Sequence, residues 1–575
     1  MGRLEAKRIN NHTYYYYSEW GWKDGKCRRL LQKYLGKPET ILKAVKGKPP
    51  TPAYAEVFEW GLSSALWQEC KGAQVIEIID ELCPKRSQGL STGQYIALAG
   101  INRAMSAVSK ASMWEWFSQT VLLRYFPQAS KAALTSQRFW DHMDKINAKT
   151  AINIWKRILS AVVEREKIDL SSVSYDGTNF YTFIDTFNAR CHIAKRGKNK
   201  QGRCNLRQVS YALFCSSDNH IPIYYDTYDG NRNDAKQFPL MLSRFHAFLE
   251  KLAGKPCDVP NTTLIFDKGN NSADNFGLLD STELKFVGSV KLDEHKDLAT
   301  ILNDDDRFVP CTCPELEKVK AYRTQKVVYG KERTLVVTYN QNLFTAQYLT
   351  LQNDLSHALS KLAKLQDKLE DRRNGIIKGG KTPSLASVQK QCNQFLSRQH
   401  LKRIVTVDIS KDAQEIPKLN YQVDTKALDN ICNTYLGKNI LLTNQAEWEN
   451  ERIIRAYRSQ FIIEDVFKEM KDRNEGSWWP LCHWTDSKIR VHALYCTIAL
   501  LLRALTLRRV RQAGIIISLK RLLKALRDIR EVIAVYPQKS KQKKEQRQTT
   551  LTKLSELQQK VLRVLGIKHD SSVLG

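Results

Sequence analysis

Apolar and polar positions follow two rhythms along the chain, one of period two and one of period 3.6, in separate stretches. Near the N-terminus, aromatic and basic residues alternate between Tyr14 and Arg29. Gly25 interrupts this run in a polar Asp-Gly-Lys sequence, which is typical of the turn between two antiparallel strands. The pattern therefore predicts a β-hairpin region over residues 1–55.

From Glu56 to Lys167 the apolar spacing becomes helical. Thr135 or Ser136 stands before the last long helical stretch, where a hydroxyl side chain can serve as the N-cap. We expect a helical domain over residues 56–168, and its position beside the basic hairpin makes it a candidate DNA-binding domain.

The next segment, residues 169–291, changes to alternating strand and helix patterns. Three consecutive strands, a helix and then alternating elements follow the order of a ribonuclease-H-like mixed sheet, so the predicted fold class is α/β. The predicted elements are strands at Leu170–Asp176, Arg207–Ser216 and Ile221–Thr227, a helix at Asp234–Leu252, a strand at Thr262–Asp267, a helix at Ala273–Asp280 and a strand at Leu284–Lys291.

Residues 292–446 are predicted to be an insertion into this core. It includes a β-rich stretch at residues 326–340 and a helix whose apolar positions alternate four and three apart. Those positions are Leu351, Leu355, Ala358, Leu362, Leu365 and Leu369. A second helix near Pro383–His400 would close a packed helical hairpin.

The C-terminal part is predicted to be helical. Residues 447–515 return to the core with one long helix from about Glu447 to Arg473 and an arginine-rich helix at Lys488–Arg511. Residues 516–575 are predicted to be a basic tail, with a lysine-rich linker at Gln538–Arg547 and a short helix near Thr552–Leu565.

Charge and cysteine content narrow the class of protein. The formal net charge of +30 and the pI near 9.5 favour a polyanionic partner, and nucleic acid above all. Thirteen scattered cysteines without a C-x-x-C pair are typical of free thiols in a reducing cytosol. The longest apolar run, Val491–Leu502, is too short to span a bilayer, so we expect no membrane partner.

Three carboxylates fall at positions that suit phosphodiester chemistry. Asp176 and Asp267 are each expected to end a strand, and Glu464 lies on the long C-terminal helix. Taken singly, each would be an ordinary turn or surface residue. The first and fourth strands of this topology are neighbours, so together the three acids could cage two Mg²⁺ ions, for which Mn²⁺ could substitute.

The helix around Glu464 carries a polar stripe. Tyr457, Gln460, Glu464 and Lys471 share one face at helical spacing, which predicts a surface that holds metal and DNA phosphate together.

At this point the chain resembles the DDE insertion-sequence transposases of the IS-four superfamily, and within it the IS-sixteen-thirty-four branch. The resemblance rests on D-x-T at Asp176, D-x-G at Asp267, and a Y-x₂-R-x₃-E-x₆-K signature that matches Tyr457, Glu464 and Lys471. Gln460 occupies the arginine position of that signature, and an amide lacks the charge and the fork of a guanidinium. The resemblance implies that the three acids are both the catalytic residues and the metal ligands.

Further segments resemble the family and imply additional DNA-binding residues. The basic loop after the first strand contributes Lys195, Arg196 and Lys198. An H-x₆-R-x-H segment after the catalytic helix contributes His483, Arg490 and His492, although both histidines could instead pack against that helix.

The predicted function is metal-dependent cleavage and strand transfer of insertion-sequence ends, that is, cut-and-paste DNA transposition. Its partners would be the terminal inverted repeats and target DNA, with a dimer assembled on the DNA ends in a prokaryotic cytoplasm, associated with the nucleoid. Two alternatives stay open: a ribonuclease-H-fold nuclease that does not transpose DNA, and a non-catalytic DNA-binding protein derived from a transposase.

Overall fold

The computed structural model describes residues 2–23, 26–46, 51–84, 88–199, 201–252, 262–282, 284–411, 416–537 and 546–569. The chain forms two compact units. One consists of Met1–Phe58, Ile529–Leu554 and Lys568–Gly575, and the other of Glu59–Asp528 and Ser555–Ile567.

Strands and helices of these residues are numbered in chain order. The strands are β1 (Gly2–Ile9), β2 (His12–Lys23), β3 (Lys26–Gly36), β4 (Tyr54–Glu59), β5 (Ser172–Tyr181), β6 (Lys195–Arg196), β7 (Arg207–Ser216), β8 (Pro222–Asp229), β9 (Thr263–Phe266), β10 (Lys285–Val290), β11 (Val309–Pro310), β12 (Val319–Val328), β13 (Lys331–Asn340), β14 (Val405–Lys411), β15 (Pro417–Val423), β16 (Lys438–Thr443), β17 (Arg530–Tyr536) and β18 (Gln546–Leu551). The α-helices are α1 (Pro38–Lys46), α2 (Gly61–Gly72), α3 (Val75–Leu82), α4 (Thr92–Met105), α5 (Met113–Phe117), α6 (Ser136–Met143), α7 (Ala148–Glu166), α8 (Asp234–Leu252), α9 (Ala273–Ser281), α10 (Lys296–Ala299), α11 (Gln341–Arg373), α12 (Leu385–Phe395), α13 (Leu401–Ile404), α14 (Thr425–Thr434), α15 (Asn450–Arg458), α16 (Phe461–Lys471), α17 (Asp486–Gln512), α18 (Leu519–Arg527) and α19 (Glu556–Leu565).

The smaller unit contains two three-stranded sheets. In the first, β1, β2 and β3 pair antiparallel in that order, so the predicted hairpin is present as β2 and β3 and gains β1 as a third strand. The predicted turn at Asp24 and Gly25 lies outside the described residues. The second sheet has the order β18-β17-β4.

The helices between residues 59 and 168 belong to the larger unit. Thr135 caps α6 through its side chain, as predicted, whereas the long helix expected after it is divided into α6 and α7. Helices α2, α4, α6 and α7 all pack against α17, so this region shares a core with the sheet and does not form the separate domain expected over 56–168.

A ten-stranded mixed sheet forms the centre of the larger unit, with the order β11-β12-β13-β16-β10-β9-β5-β7-β6 and β8 paired to β7. Strands β5, β7 and β8 are antiparallel neighbours, and β9 and β10 run parallel to β5. The predicted strand order through residue 291 is therefore observed. One boundary is wrong: β5 continues to Tyr181, which pairs with Gln208, so Asp176 lies within the strand and does not end it.

The insertion is only partly separate from this sheet. Its strands β12, β13 and β16 extend the main sheet beyond β10, contrary to the expectation of an independent β-rich subdomain. The helical hairpin is observed as α11 and α12, and all six predicted core positions of α11 are buried.

The predicted helix over 447–473 is two helices, because α15 ends at Arg458 and α16 begins at Phe461. At the junction, backbone amides bond three residues back, from Ile462 to Ser459 and from Ile463 to Gln460. Such bonds tighten the helical turn and change the direction of the chain.

Helix α17 is the core helix of this unit. By length and composition it could cross a membrane, but 94% of its most apolar window is buried inside the protein. The expected tail after residue 515 is folded over most of its described length as α18, β17, β18 and α19. Most of the predicted lysine-rich linker, including Lys539, Lys541, Lys543 and Lys544, lies outside the described residues.

Candidate active site

Asp176 and Asp267 are neighbours on adjacent parallel strands. In the register of β5 and β9, Tyr175 pairs with Phe266, and each aspartate is the next residue of its chain. Neighbouring strands lie about 4.8 Å apart, so the two carboxylates project side by side. Both aspartates are partly exposed, whereas Tyr175 and Phe266 are buried on the opposite face of the sheet.

Both aspartates point to the face that α15 and α16 cover. On β5, Thr178 lies two residues after Asp176 and accepts a hydrogen bond from the ammonium of Lys471 on α16. On β9, Ile265 lies two residues before Asp267 and packs in one cluster with Ile453 of α15. Side chains two apart on a strand share a face, so the contacts of Thr178 and Ile265 place the aspartates there too.

Glu464 lies in the first turn of α16 and is exposed. A carboxylate at this position is favoured by the partial positive charge at a helix N-terminus. Helix α16 packs on β5 and β7, so Glu464 belongs to the same face of the sheet as the two aspartates.

Tyr457, near the end of α15, connects these groups. Its hydroxyl donates to Ser289 Oγ on β10 at 2.8 Å. Burial, followed by the negative charges of Asp267 and Glu464, raises the pKa of Tyr457 to about 12, against the opposing effect of the Ser289 bond. The charges of both carboxylates therefore act on the Tyr457 hydroxyl, so Asp267 and Glu464 both lie near this side chain.

The donor set suits a hard divalent cation. Among the described residues, no three His, Cys, Asp or Glu side chains gather as ligands of a single ion. Mg²⁺ does not require such a group, because it commonly takes one or two carboxylates and completes its shell with water and phosphate oxygens. The adjacent pair Asp176 and Asp267 meets that requirement, with Glu464 on the facing helix.

The polar stripe predicted from the sequence is wrong in part. The stripe is interrupted because α15 ends at Arg458 and α16 begins at Phe461, and Gln460 lies in the junction between them. Gln460 is only 8% exposed, whereas the next residue, Phe461, is exposed. Gln460 is therefore not positioned at the surface as a DNA contact, and Tyr457 is held by the protein through Ser289.

Lys471 keeps its place beside the site. Its ammonium binds Thr178 and lies 5.7 Å from the centre of the Phe180 ring, so the side chain lies along β5. The Thr178 contact was not foreseen, although Thr178 is the third residue of the D-x-T motif. Nothing in the sequence indicated Ser289, which is one small residue within a strand.

The predicted basic loop lies at the end of the sheet beside β7. The Lys195 ammonium pairs with Asp229 at 2.7 Å, and exposed Arg196 donates to Thr186 at 2.9 Å. Lys198 has an exposed side chain, and its carbonyl oxygen accepts from Asn179 and Gln208. Arg196 and Lys198 are therefore presented to solvent on a fixed backbone, while Lys195 is engaged by a carboxylate.

His483 and His492 lie in the interior, which contradicts their predicted DNA contact. The Tyr495 hydroxyl bonds both rings, at 3.1 Å to His483 Nε2 and 2.5 Å to His492 Nδ1. Burial, with the nearby cations Lys110 and Arg103, lowers the pKa of His483 to about 3 and that of His492 as well. Both are neutral packing residues, the other interpretation that the sequence left open.

Arg490 is also engaged within the protein. It donates to the carbonyl and hydroxyl oxygens of Thr227, both at 3.1 Å, and lies 3.9 Å from the Asp226 carboxylate. Its side chain is 30% exposed, so part of the guanidinium remains accessible on α17.

Comparison with known proteins decides the family. Residues 171–502, more than half of the chain, match the transposase DDE domain, and this range includes Asp176, Asp267 and Glu464. The chain belongs to the DDE transposase family. As a DDE transposase it is an enzyme of DNA transposition.

No curated protein matches the chain. Among solved structures, a piggyBac transposase synaptic complex with hairpin DNA is similar over 80% of this chain and 79% of its own, with 10% sequence identity and a TM-score of 0.34.

Proposed function

We propose that this DDE transposase is a metal-dependent DNA endonuclease and strand transferase that cuts and joins the ends of an insertion sequence. The observation that carries the proposal is the register of β5 and β9, which sets Asp176 beside Asp267 on the face that α16 covers with Glu464. The strand order β8-β7-β5-β9-β10 supports a ribonuclease-H-like core.

At such a site, the carboxylates would bind the metal ions, and the neighbouring side chains would position the helices and the DNA phosphate. Asp176, Asp267 and Glu464 would hold two Mg²⁺ or Mn²⁺ ions through their oxygens. When bound, these ions supply Lewis acidity for the attacking water or 3′-hydroxyl and for the leaving oxygen. Tyr457 fixes the α15–α16 junction to β10, and the Lys471 ammonium, bound to Thr178, lies along the strand where a phosphate would approach.

Within the family, we place the chain in the IS-four superfamily and its IS-sixteen-thirty-four branch, on the motifs at Asp176, Asp267 and Glu464. Its substrate would be double-stranded DNA, at the terminal inverted repeats and at the target. A dimer on paired DNA ends, in a prokaryotic cytoplasm at the nucleoid, completes the proposal. The net charge of +30 supports a polyanionic partner.

Recognition of the ends is assigned to the smaller unit, where β1–β3 present cations on aromatic rings. Arg3 and Arg29 lie 5.2 and 5.1 Å from the Trp20 ring, and Lys7 lies 5.0 Å from the Tyr16 ring. Trp22 on the same sheet is 79% exposed. If Lys7→Ala and Arg29→Ala leave the preference for end sequence over random duplex unchanged, this assignment fails.

The two alternatives are less well supported. A nuclease that does not transpose DNA would not be expected to match the transposase domain over residues 171–502. A non-catalytic derivative would be expected to have lost at least one acid, whereas Asp176, Asp267 and Glu464 are all present.

The test is cleavage of a labelled duplex carrying the DNA that borders the coding region, in Mg²⁺, by the wild type and by Asp176→Asn, Asp267→Asn and Glu464→Gln. We expect each substitution to reduce cleavage by several orders of magnitude while duplex binding persists, because nucleophile activation and charge stabilisation are lost together. Asp465→Asn is the matched control, since Asp465 is the next exposed acid on α16 and pairs with Lys468. Cleavage within tenfold of the wild type removes the substituted residue from the active site.

A further inference from the structure

Two arginines approach the same aromatic ring at the end of β5. The guanidinium carbon of Arg203 lies 5.4 Å from the centre of the Tyr181 ring, and that of Arg473 lies 5.7 Å from it. Arg473 also lies 5.8 Å from the ring of Trp479, which packs 4.7 Å from Tyr181. Two cations from distant parts of the sequence therefore share one small aromatic surface.

No carboxylate of the described residues neutralises the charges of these arginines. Both are exposed, and within the described part of the chain neither forms an ion pair with a carboxylate. The nearest acid in sequence, Asp472, accepts backbone amides of Asn474 and Glu475 at 2.8 and 3.1 Å. These bonds lower the pKa of Asp472 and hold its carboxylate on its own turn.

An aromatic ring holds a guanidinium without cancelling its charge. Contact through the flat face leaves the N–H groups at the edge free to bind an oxyanion in bidentate fashion. Two such groups held near one ring repel each other, and an anion that both can reach relieves that repulsion.

The backbone fixes both arginines in place. Arg203 follows a turn in which the Gly202 amide donates to the Asn199 carbonyl at 3.1 Å, and buried Asn199 is itself bound to Gln208 at 2.7 Å. Arg473 lies in a turn closed by the Gly476 amide, which donates to the Asp472 carbonyl at 3.0 Å. A Cβ on Gly476 would fall 2.0 Å from that oxygen, so the turn requires glycine.

The arginine pair lies beyond the ends of the two elements that carry Asp176 and Glu464. Helix α16 carries Glu464 in its first turn and Lys471, bound to Thr178, in its last, and Arg473 follows two residues later. Tyr181 lies on the same strand as Asp176, five residues further along and so roughly 17 Å away at 3.3 Å per residue. Arg473 therefore follows the last turn of α16, and Tyr181 ends β5, so the arginine pair lies at the end of each element that is further from Glu464 and Asp176.

We propose that Arg203 and Arg473, held by Tyr181 and Trp479, form a phosphate-binding site for the DNA backbone that flanks the cleaved phosphodiester. The site is a positioning element and takes no part in bond breaking. Its role in cleavage rests on the proposed function, but its affinity for phosphodiester DNA does not.

The experiment measures binding of the full chain to a fluorescein-labelled duplex of arbitrary sequence, in EDTA, over a series of salt concentrations. Each lost phosphate contact should reduce the slope of log K against log salt by about 0.9. Arg203→Ala and Arg473→Ala are each expected to show that reduction, and the double variant a reduction at least as large. Arg473→Lys should keep the slope but weaken binding, because the charge remains and the fork is lost.

Arg563→Ala is the matched control, because Arg563 is an exposed arginine on α19 within the same unit, and its slope should equal that of the wild type. If both single variants and the double variant, with circular dichroism spectra like the wild type, show the slope of Arg563→Ala, the proposal is overturned. The two proposals fail separately. Reduced slopes with a wild type that does not cleave its end duplex would leave the arginine site standing and refute the nuclease assignment. Cleavage of the end duplex by the wild type, together with unchanged slopes in the arginine variants, would support the nuclease assignment and refute the arginine site.

Discussion

His483 shows what burial does to a residue type that usually serves chemistry. It lies beside His492, Lys110 and Arg103 around the ring of Tyr495, and this environment lowers the pKa of His483 to about 3. A histidine with a lower pKa in the folded than in the unfolded protein binds fewer protons when folded, so its protonation favours unfolding. The associated stability is complete above the unfolded pKa of about 6.5 and is lost as the pH falls from there towards 3.

We therefore predict that the free energy of unfolding decreases as the pH falls below 6.5, by up to about 1.4 kcal/mol per pH unit for each of the two histidines. Urea unfolding at a series of pH values between 7.5 and 4.5 measures this slope. His483→Gln should make the slope shallower, because one titrating group is removed. An equal slope in the wild type and in His483→Gln would contradict the buried, neutral state of this residue.

For single residues, the sequence predicted which side chains have the right chemistry for the site, but it did not predict how deeply each side chain is buried. Asp176, Asp267 and Glu464 could be selected because their residue types and motif spacing suit metal-assisted phosphodiester cleavage. The burial of Gln460 could not be predicted, since it depends on the break between α15 and α16, which leaves no local signal, whereas packing of His492 in the protein was one of the two interpretations that the sequence left open. Arg203 and Arg473 were missed as a pair because only the folded chain brings them to Tyr181.

Among the elements, the loop that carries Arg196 and Lys198 depends on a close approach of two backbones. Gly230, after β8, accepts from Gln208 of β7 at 2.6 Å, and a Cβ on Gly230 would fall 1.8 Å from the Gln208 carbonyl oxygen. No side chain fits there unless β7 moves, and β7 pairs with β5 along the strand that carries Asp176.

Gly230→Ala is therefore expected to cost more than about 2 kcal/mol of folding free energy and to weaken DNA binding through the displaced loop. Gly277→Ala provides the comparison, because Gly277 lies on α9 and a Cβ there would have none of the described atoms within 4 Å. That change should be neutral or stabilising by up to about 1 kcal/mol. Chemical denaturation of the two variants beside the wild type gives both values, and similar stabilities for the pair would show that β7 and the loop adjust freely.

The bounds of individual helices and strands were predicted well where the sequence pattern is strong. The helix α8 and the strand β7 were predicted with their observed bounds, because each is a strongly patterned segment bounded by polar residues. The end of β5 was misplaced since Gly177 resembles a turn residue. It serves instead as a close contact, because a Cβ there would lie 2.9 Å from the hydroxyl of Tyr228.

At the scale of the whole molecule, the order of the strands up to β10 was predictable from the sequence. The pairing of the later strands that extend the sheet beyond β10 was not predictable. The β-rich pattern at 326–340 identified β13 and the end of β12, but the pairing of β13 to β16, and of β16 to β10, joins residues far apart in sequence. The helices over 59–168 were assigned to a separate domain because their own pattern does not reveal that α17 is their common core.

The central claim is that Asp176, beside Asp267 in the sheet, is a metal ligand of a nuclease. Mg²⁺ binds hard oxygen ligands, whereas Mn²⁺, a transition metal, accepts sulfur more readily. The most direct measurement is cleavage of the end duplex by Asp176→Cys in Mg²⁺ and in Mn²⁺, with the wild type and Asp176→Asn as references. We predict that Asp176→Cys is inactive in Mg²⁺ and regains activity in Mn²⁺, while Asp176→Asn stays inactive in both. Cleavage by Asp176→Cys in Mg²⁺ within tenfold of the wild type would contradict the account.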